Sequence, residues 1–196
     1  MKEMRLLKIK TTFAVLSLMF VLCFAAQTSA HAATVDAESD ARQTLERAFG
    51  QLKSGDYSGA YDVLPSAVQR RVSREQFTNA LSRSRDRIEL DRIEITTLKV
   101  FNDVAVADTV IYGRVRPQPQ TDLTFDGKIV VRQYLTREDN SWRVTTGDTQ
   151  TVRPLLQANP QLARRFPPRQ PRIYFLREGQ WIELPTQGQP QRRGRN

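Results

Sequence analysis

Ile88-Glu89-Leu90-Asp91-Arg92-Ile93-Glu94-Ile95, continued by Leu98 and Val100, is the stretch where the apolar spacing of this chain changes to a period of two. Alternation of that kind places every second side chain of an extended strand on one face. Together these residues outline one long or bulged strand. Asn102-Asp103 reads as a turn, and Val104 to Val115 returns as a second strand. After an Arg116-Pro117-Gln118-Pro119-Gln120 loop, Phe125 to Thr136 is expected as a third strand, Ile129, Val131 and Leu135 alternating with Val130, Arg132 and Tyr134. Glu138-Asp139-Asn140 turns into a fourth, Ser141 to Thr149, carrying Trp142, Val144 and Thr146.

Upstream of Arg87 the period is helical. Ala37, Ala41, Leu45, Ala48, Phe49 and Leu52 recur at threes and fours behind Asp36, an N-cap residue type, and Lys53-Ser54-Gly55 gives a basic last turn and a glycine stop. Asp56 is expected to cap a short second helix from Tyr57 to Leu64, ended by Pro65. Ser73-Arg74-Glu75-Gln76 has the spacing of a capping box and opens a third helix presenting Phe77, Ala80 and Leu81 inward. Helices followed by hairpin-linked strands mean an α+β fold, with N-terminal helices packed on one face of an antiparallel sheet.

Leu52 to Tyr61, the Ser73-x-x-Gln76-Phe77 helix start, and the Val104-Ala105-Val106-Ala107 and Ser141-Trp142-Arg143-Val144 strands carry a resemblance. Over about residues 36–152 the chain resembles the NTF2-like superfamily, a cystatin-like cone of sheet around helices, and most of all its small exported members of unassigned function. The resemblance implies a fold and no single activity, since ketosteroid isomerase and scytalone dehydratase share it with non-catalytic proteins.

The start of the chain reads as an export peptide. Lys2, Arg5, Lys8 and Lys10 precede an apolar run from Thr11 to Ala26, and Ala30-His31-Ala32 supplies small residues for cleavage near Ala32. The run is shorter than the roughly 20 residues of a spanning helix, and Leu22 before Cys23 argues against a lipidated cysteine. The expected organisation is therefore a signal peptide at 1–32, an α+β domain at 33–152, a Pro/Arg-rich extension with a β-hairpin at 153–184, and a disordered basic tail at 185–196. The mature protein is expected in the periplasm or outside the cell.

Charge follows the same division. Residues 33–152 hold 17 Lys and Arg against 18 Asp and Glu, whereas residues 153–196 hold 9 Arg against 2 Glu. The basicity thus belongs to the extension. Loss of residues 1–32 also removes Cys23 and His31, the single cysteine and histidine of the chain. Cysteine–histidine pairs, serine–histidine triads and histidine zinc sites then have no parts, and neither a cofactor nor a metal is expected.

Isomerase-type chemistry needs a carboxylate in an apolar pocket and a tyrosine donor. Asp108, with Tyr112 or Tyr57, is the candidate set, since Asp108 shares strand parity with Val104, Val106, Val110 and Tyr112. Tyr57, Tyr61, Tyr134 and Trp142 are the candidates to line a small apolar ligand, with plain core packing as their alternative. Arg164, Arg165, Arg169, Arg172 and Arg177, interleaved with Phe166, Tyr174 and Phe175, are candidate anion contacts. Outside the cytoplasm their partner would be an anionic envelope surface and not nucleic acid. The expected role is a non-catalytic binding or scaffold module for a small ligand or protein partner, with a cavity isomerase or lyase and a tail-anchored envelope protein as alternatives. A homodimer through the open sheet face is a further expectation.

Overall fold

The structure, a computed structural model, describes residues 35–116, 124–145 and 149–184. The expected export peptide and basic tail lie outside the described residues, as does most of the Arg116–Gln120 loop. The chain divides into two units, 1–39 and 40–196. Of the first, the described part is the opening turn of a helix, α1, that runs over 35–54. Asp36 therefore lies within this helix and does not cap it. Among the described residues no helix is long and apolar enough to cross a membrane.

In the second unit three helices follow α1: α2 (Tyr57–Asp62), α3 (Ser66–Gln69) and α4 (Arg74–Arg85). Asp56 caps α2 by accepting from the Gly59 N–H, and the Ser73–Gln76 capping box closes both ways on α4. Helix α3, entered through Pro65, is absent from the sequence reading, being a single turn too short to show a period. No residue of α4 is fully buried and Ala80 is exposed, so of the three apolar residues expected inward Phe77 and Leu81 are half-buried and Ala80 is not. Phe77 packs on Tyr61 with ring centroids 5.7 Å apart.

The sheet has six antiparallel strands: β1 (Ile88–Phe101), β2 (Val104–Val115), β3 (Phe125–Glu138), β4 (Ser141–Val144), β5 (Arg172–Arg177) and β6 (Gln180–Leu184). β1, β2, β3, β5 and β6 lie side by side, and β3 splits its far edge between two partners. Its first half pairs with β5 from Gly127 to Val130, and its end pairs with β4 from Leu135 to Glu138. The hairpin turns carry left-handed residues where Asn, Asp or Gly tolerate them: Asn102 at φ 52°, Asp139 and Asn140 at 48° and 59°, and Gly179 at 78°.

Three boundaries differ from expectation. β4 ends at Val144, with Thr145 still in register, its N–H and its hydroxyl both donating to the Tyr134 carbonyl at 2.9 and 2.8 Å, and Thr149, expected as its last residue, opens a helix instead. The stretch from Pro154 to Arg165, where apolar Leu155, Leu156 and Leu162 suggest one short helix, forms parts of two, α5 (Thr149–Ala158) and α6 (Pro160–Arg165). Pro160 forces the break, since the residue before a proline is pushed out of the helical region and Asn159 sits at φ −128°, ψ 68°. Finally, α5 crosses the division drawn at Val152 and the β5–β6 hairpin joins the main sheet. The change in charge there is no boundary in the fold.

Both sheet faces are covered, unequally. On one, Val104, Val106 and Tyr134 form a core with Val152, Leu156 and Leu162 of α5 and α6. On the other, Ala105, Ala107 and Leu135 are fully buried, while farther along Leu90, Ile93 and Ile111 stay partly exposed.

β1 carries its two bulges at Leu90/Arg92 and Ile95/Thr97, which bend the strand and restore its apolar phase. At the first, the Glu89 carbonyl swings over Gly113, where a Cβ would meet that oxygen at 2.4 Å. Gly113→Ala is therefore expected to destabilise by about 1–3 kcal/mol, read as a lower urea midpoint. An unchanged midpoint would mean that the bulge is not fixed there.

Candidate functional site

Between the helices and the less covered sheet face lies a cavity of about 710 Å³. Helices supply Phe49, Leu52, Tyr57 and Leu81, and strands supply Ile88, Leu90, Ile111 and Ile129. The strand residues meet because register places Ile111 opposite Ile129 and, two residues on and on the same face, Gly113 opposite Leu90. The lining is thus an apolar floor drawn from one face of three strands.

Its rim is charged and predominantly basic: Lys53, Arg85, Arg87, Arg114 and Arg116 against Asp86 and Glu89. Arg114 donates to the Glu89 carboxylate, and Lys53 to the Asp91 carbonyl. Arg116 ties the α4–β1 junction to β2, its backbone N–H donating to the Arg87 carbonyl at 2.8 Å. Its Nη1 reaches the Asp86 carbonyl at 3.5 Å, and its Nε is buried with no hydrogen-bond partner. A buried donor without an acceptor favours an anionic or carbonyl oxygen arriving from outside the protein.

The other face holds a different arrangement. Register sets Asp108 opposite Arg132, and the pair is bidentate, Nε to Oδ1 at 2.7 Å and Nη2 to Oδ2 at 2.8 Å. The Arg132 side chain is 4% exposed and that of Asp108 27%. Arg132 Nη1 also donates to the Pro167 carbonyl at 3.1 Å, and the Tyr134 hydroxyl to the Phe166 carbonyl at 2.9 Å. Arg165 lies over the rings of Phe101 and Phe166. These contacts fasten the segment after α6 onto the sheet.

Solved structures similar to this chain include two NTF2-like proteins. One is an NTF2-like protein of unknown function from Pseudomonas putida KT2440, 16% identical over 57% of this chain and 83% of that one, with a TM-score of 0.38. The other is a Campylobacter jejuni protein described as a candidate NTF2-like transpeptidase, 13% identical over 53% and 95%, with a TM-score of 0.35. No family model matches the chain, and no curated protein matches it. At these values the likeness assigns no residue a role, and the α+β class stands on the element order and sheet register of the chain itself.

Of the residues singled out from sequence, Tyr57 alone lines the cavity. Tyr61 is buried, its hydroxyl donating to the Val72 carbonyl at 2.9 Å, with Arg74 over its ring. Tyr134 and Trp142 are 2% and 4% exposed. All three are buried side chains, and none of them lines the cavity. Burial also raises the Tyr134 phenol above its ordinary pKa.

Tyr112 stands on the face away from the cavity. Its hydroxyl meets Glu94 at 3.1 Å, Arg92 lies 3.6 Å over its ring, and Trp181 approaches edge-on. Asp108 is on that same face, so it forms no pair with Tyr57.

The five arginines are dispersed. Arg164 is exposed at the end of α6, Arg165 stacks as described, Arg172 lies over Tyr174, and Arg177 pairs with Glu178 at 3.6 Å. Arg169, after the Pro167-Pro168 step, adds its charge to the field on Asp108. The basic rim residues Arg85, Arg87 and Arg116 drew no attention in the sequence, where they look like ordinary helix-end and strand-end charges.

The Arg132 hydrogen bonds hold the Asp108 carboxyl below the ordinary aspartate pKa, against the opposing effect of burial. A depressed folded-state pKa stabilises the fold above the unfolded value, and that contribution is lost as pH falls through the folded one. Asp108→Asn is expected to cost about 3 kcal/mol at pH 7, since it strands a buried guanidinium. It should also flatten the loss of stability below about pH 4. Urea titrations from pH 2 to 7 check both. A variant that keeps the wild-type acid slope would show that the pair does not set it.

Proposed function

We propose that this is an exported, non-catalytic binding domain whose cavity between α1, α2, α4 and the sheet holds a small ligand. The observation that carries the reading is the cavity itself, some 710 Å³ of space with an apolar floor and a basic rim. Sites of this size and lining are where small ligands are held. Export is supported by the charged, apolar and small-residue order of residues 1–32.

The isomerase reading lacks this support. Its base would need a carboxylate with raised proton affinity facing the pocket. Asp108 faces away and is held ionised by Arg132, and of the two acids on the rim Glu89 is engaged by Arg114.

The test is titration with 8-anilinonaphthalene-1-sulfonate, whose apolar rings and sulfonate match floor and rim. One saturable site is expected, weakened at least about tenfold by Ile111→Asp, which places a charge on the floor. Leu81→Glu on α4 repeats the test where Ile111→Asp does not fold. Binding that neither folded variant alters, or no binding at all, overturns the reading.

A further inference from the structure

The apolar floor does not end at the cavity. Register carries the Ile111–Ile129 row on to Ile173 of β5 and Leu184 of β6, and the neighbouring row runs from Gly113 and Gly127 to Phe175 and Ile182. Ile88, Val115 and Phe125 form a third row beside them. Ile88, Val115, Phe125, Ile173, Ile182 and Leu184 are each at least 36% exposed. Exposed apolar surface of this extent on one face marks a place where something binds. The trough it lines, about 510 Å³, shares Ile88, Leu90, Ile111 and Ile129 with the cavity, so the two are continuous.

The middle of the trough is two glycines facing each other across β2 and β3. Gly113 is required by the Glu89 carbonyl. Gly127 is not: a Cβ there would meet its nearest neighbours, the Tyr174 carbonyl and Val115, at an ordinary 3.5 Å. A glycine in a central strand weakens it, and one that packing does not demand points to close approach by a bound group.

Resting on the small-ligand reading above, we propose that cavity and trough together take one long-chain amphipathic anion, a fatty-acyl carboxylate in the simplest case. The headgroup sits at the basic rim, where Arg116 Nε lacks an acceptor, and the acyl chain lies across the strands over Ile111, Ile129 and Gly127 toward Ile173 and Leu184. From β2 to β6 is three strand spacings, about 14 Å, the length of roughly a 12-carbon extended chain.

The full chain is titrated with octanoate, decanoate, dodecanoate and tetradecanoate below their micelle concentrations, by displacement of 8-anilinonaphthalene-1-sulfonate. Affinity is expected to rise at least about 30-fold from eight to fourteen carbons, each buried methylene contributing up to roughly a factor of four. Tetradecanol should bind at least about tenfold more weakly than tetradecanoate, since it leaves the rim donors without a charge. Gly127→Val fills the trough with a side chain suited to a strand, and should collapse the chain-length gain to about threefold or less. Ile173→Lys at the far end does the same if the valine variant does not fold.

Equal affinity for all four carboxylates, each displacing the dye, overturns this proposal and leaves the cavity reading intact. Failure of every carboxylate and of the dye overturns both. A self-association that Ile182→Lys abolishes and that no acyl chain perturbs assigns the face to a second copy of the chain, which also overturns the proposal.

Discussion

Twelve consecutive residue pairs join β2 to β3 with no break in register, from Val104 opposite Thr136 to Val115 opposite Phe125. Strand side chains alternate, so this one ladder sorts the middle of the chain into two faces with different chemistry. Ala105, Ala107, Thr109 and Ile111 fall on the side of α1, α2 and α4. Val104, Val106, Asp108 and Tyr112 fall on the side of α5 and α6. A slip of one residue would exchange the two sets, putting Asp108 on the cavity side and uncharged Ala107 or Thr109 opposite Arg132. The cavity depends on that not happening.

The faces are covered by different means and to different extents. On the side of α5 and α6, apolar packing of Val152, Leu156 and Leu162 is locked by the Arg132–Asp108 pair, whose spare donor holds the Pro167 carbonyl. A bidentate guanidinium–carboxylate contact is directional, and here it fixes where the chain goes after α6, hence where β5 can meet β3. On the other side the helices cover Ala105 and Ala107 and then stop. The added strands β5 and β6 lengthen the uncovered part of that face, so the extension that completes one layer enlarges the opening in the other.

Much of this was legible in the chain. The switch of period at Ile88 gives the order of helices and strands, and Asn102, Asp139-Asn140 and Gly179 sit at the hairpin turns because Asn, Asp and Gly tolerate left-handed backbone. The capping residues Asp56 and Ser73 do what their spacing implies. The site was less legible. Asp108 and Arg132 are 24 residues apart and become partners only through register. The pairing of Gly127 with Phe175 depends on the route taken between them. Aromatic residues looked like ligand contacts because tyrosine and tryptophan serve both binding and packing. Tyr61, Tyr134 and Trp142 turned out to be packing, whereas aliphatic Ile111 and Ile129 line the cavity. The rim arginines come from α4, the α4–β1 junction and β2, so no local motif announces them.

The central claim is that the face bearing Ile129 is open while the face bearing Val106, 2% exposed beneath α5 and α6, is closed. Single cysteines test it most directly. With Cys23 replaced by serine, Ile129→Cys and Val106→Cys are each treated with a bulky maleimide under native conditions. Modification of the cysteine at 129 is expected to be at least about a hundredfold faster than at 106, because the latter reacts only through opening of the structure. Equal rates, or faster reaction at 106, would contradict the assignment of the two faces.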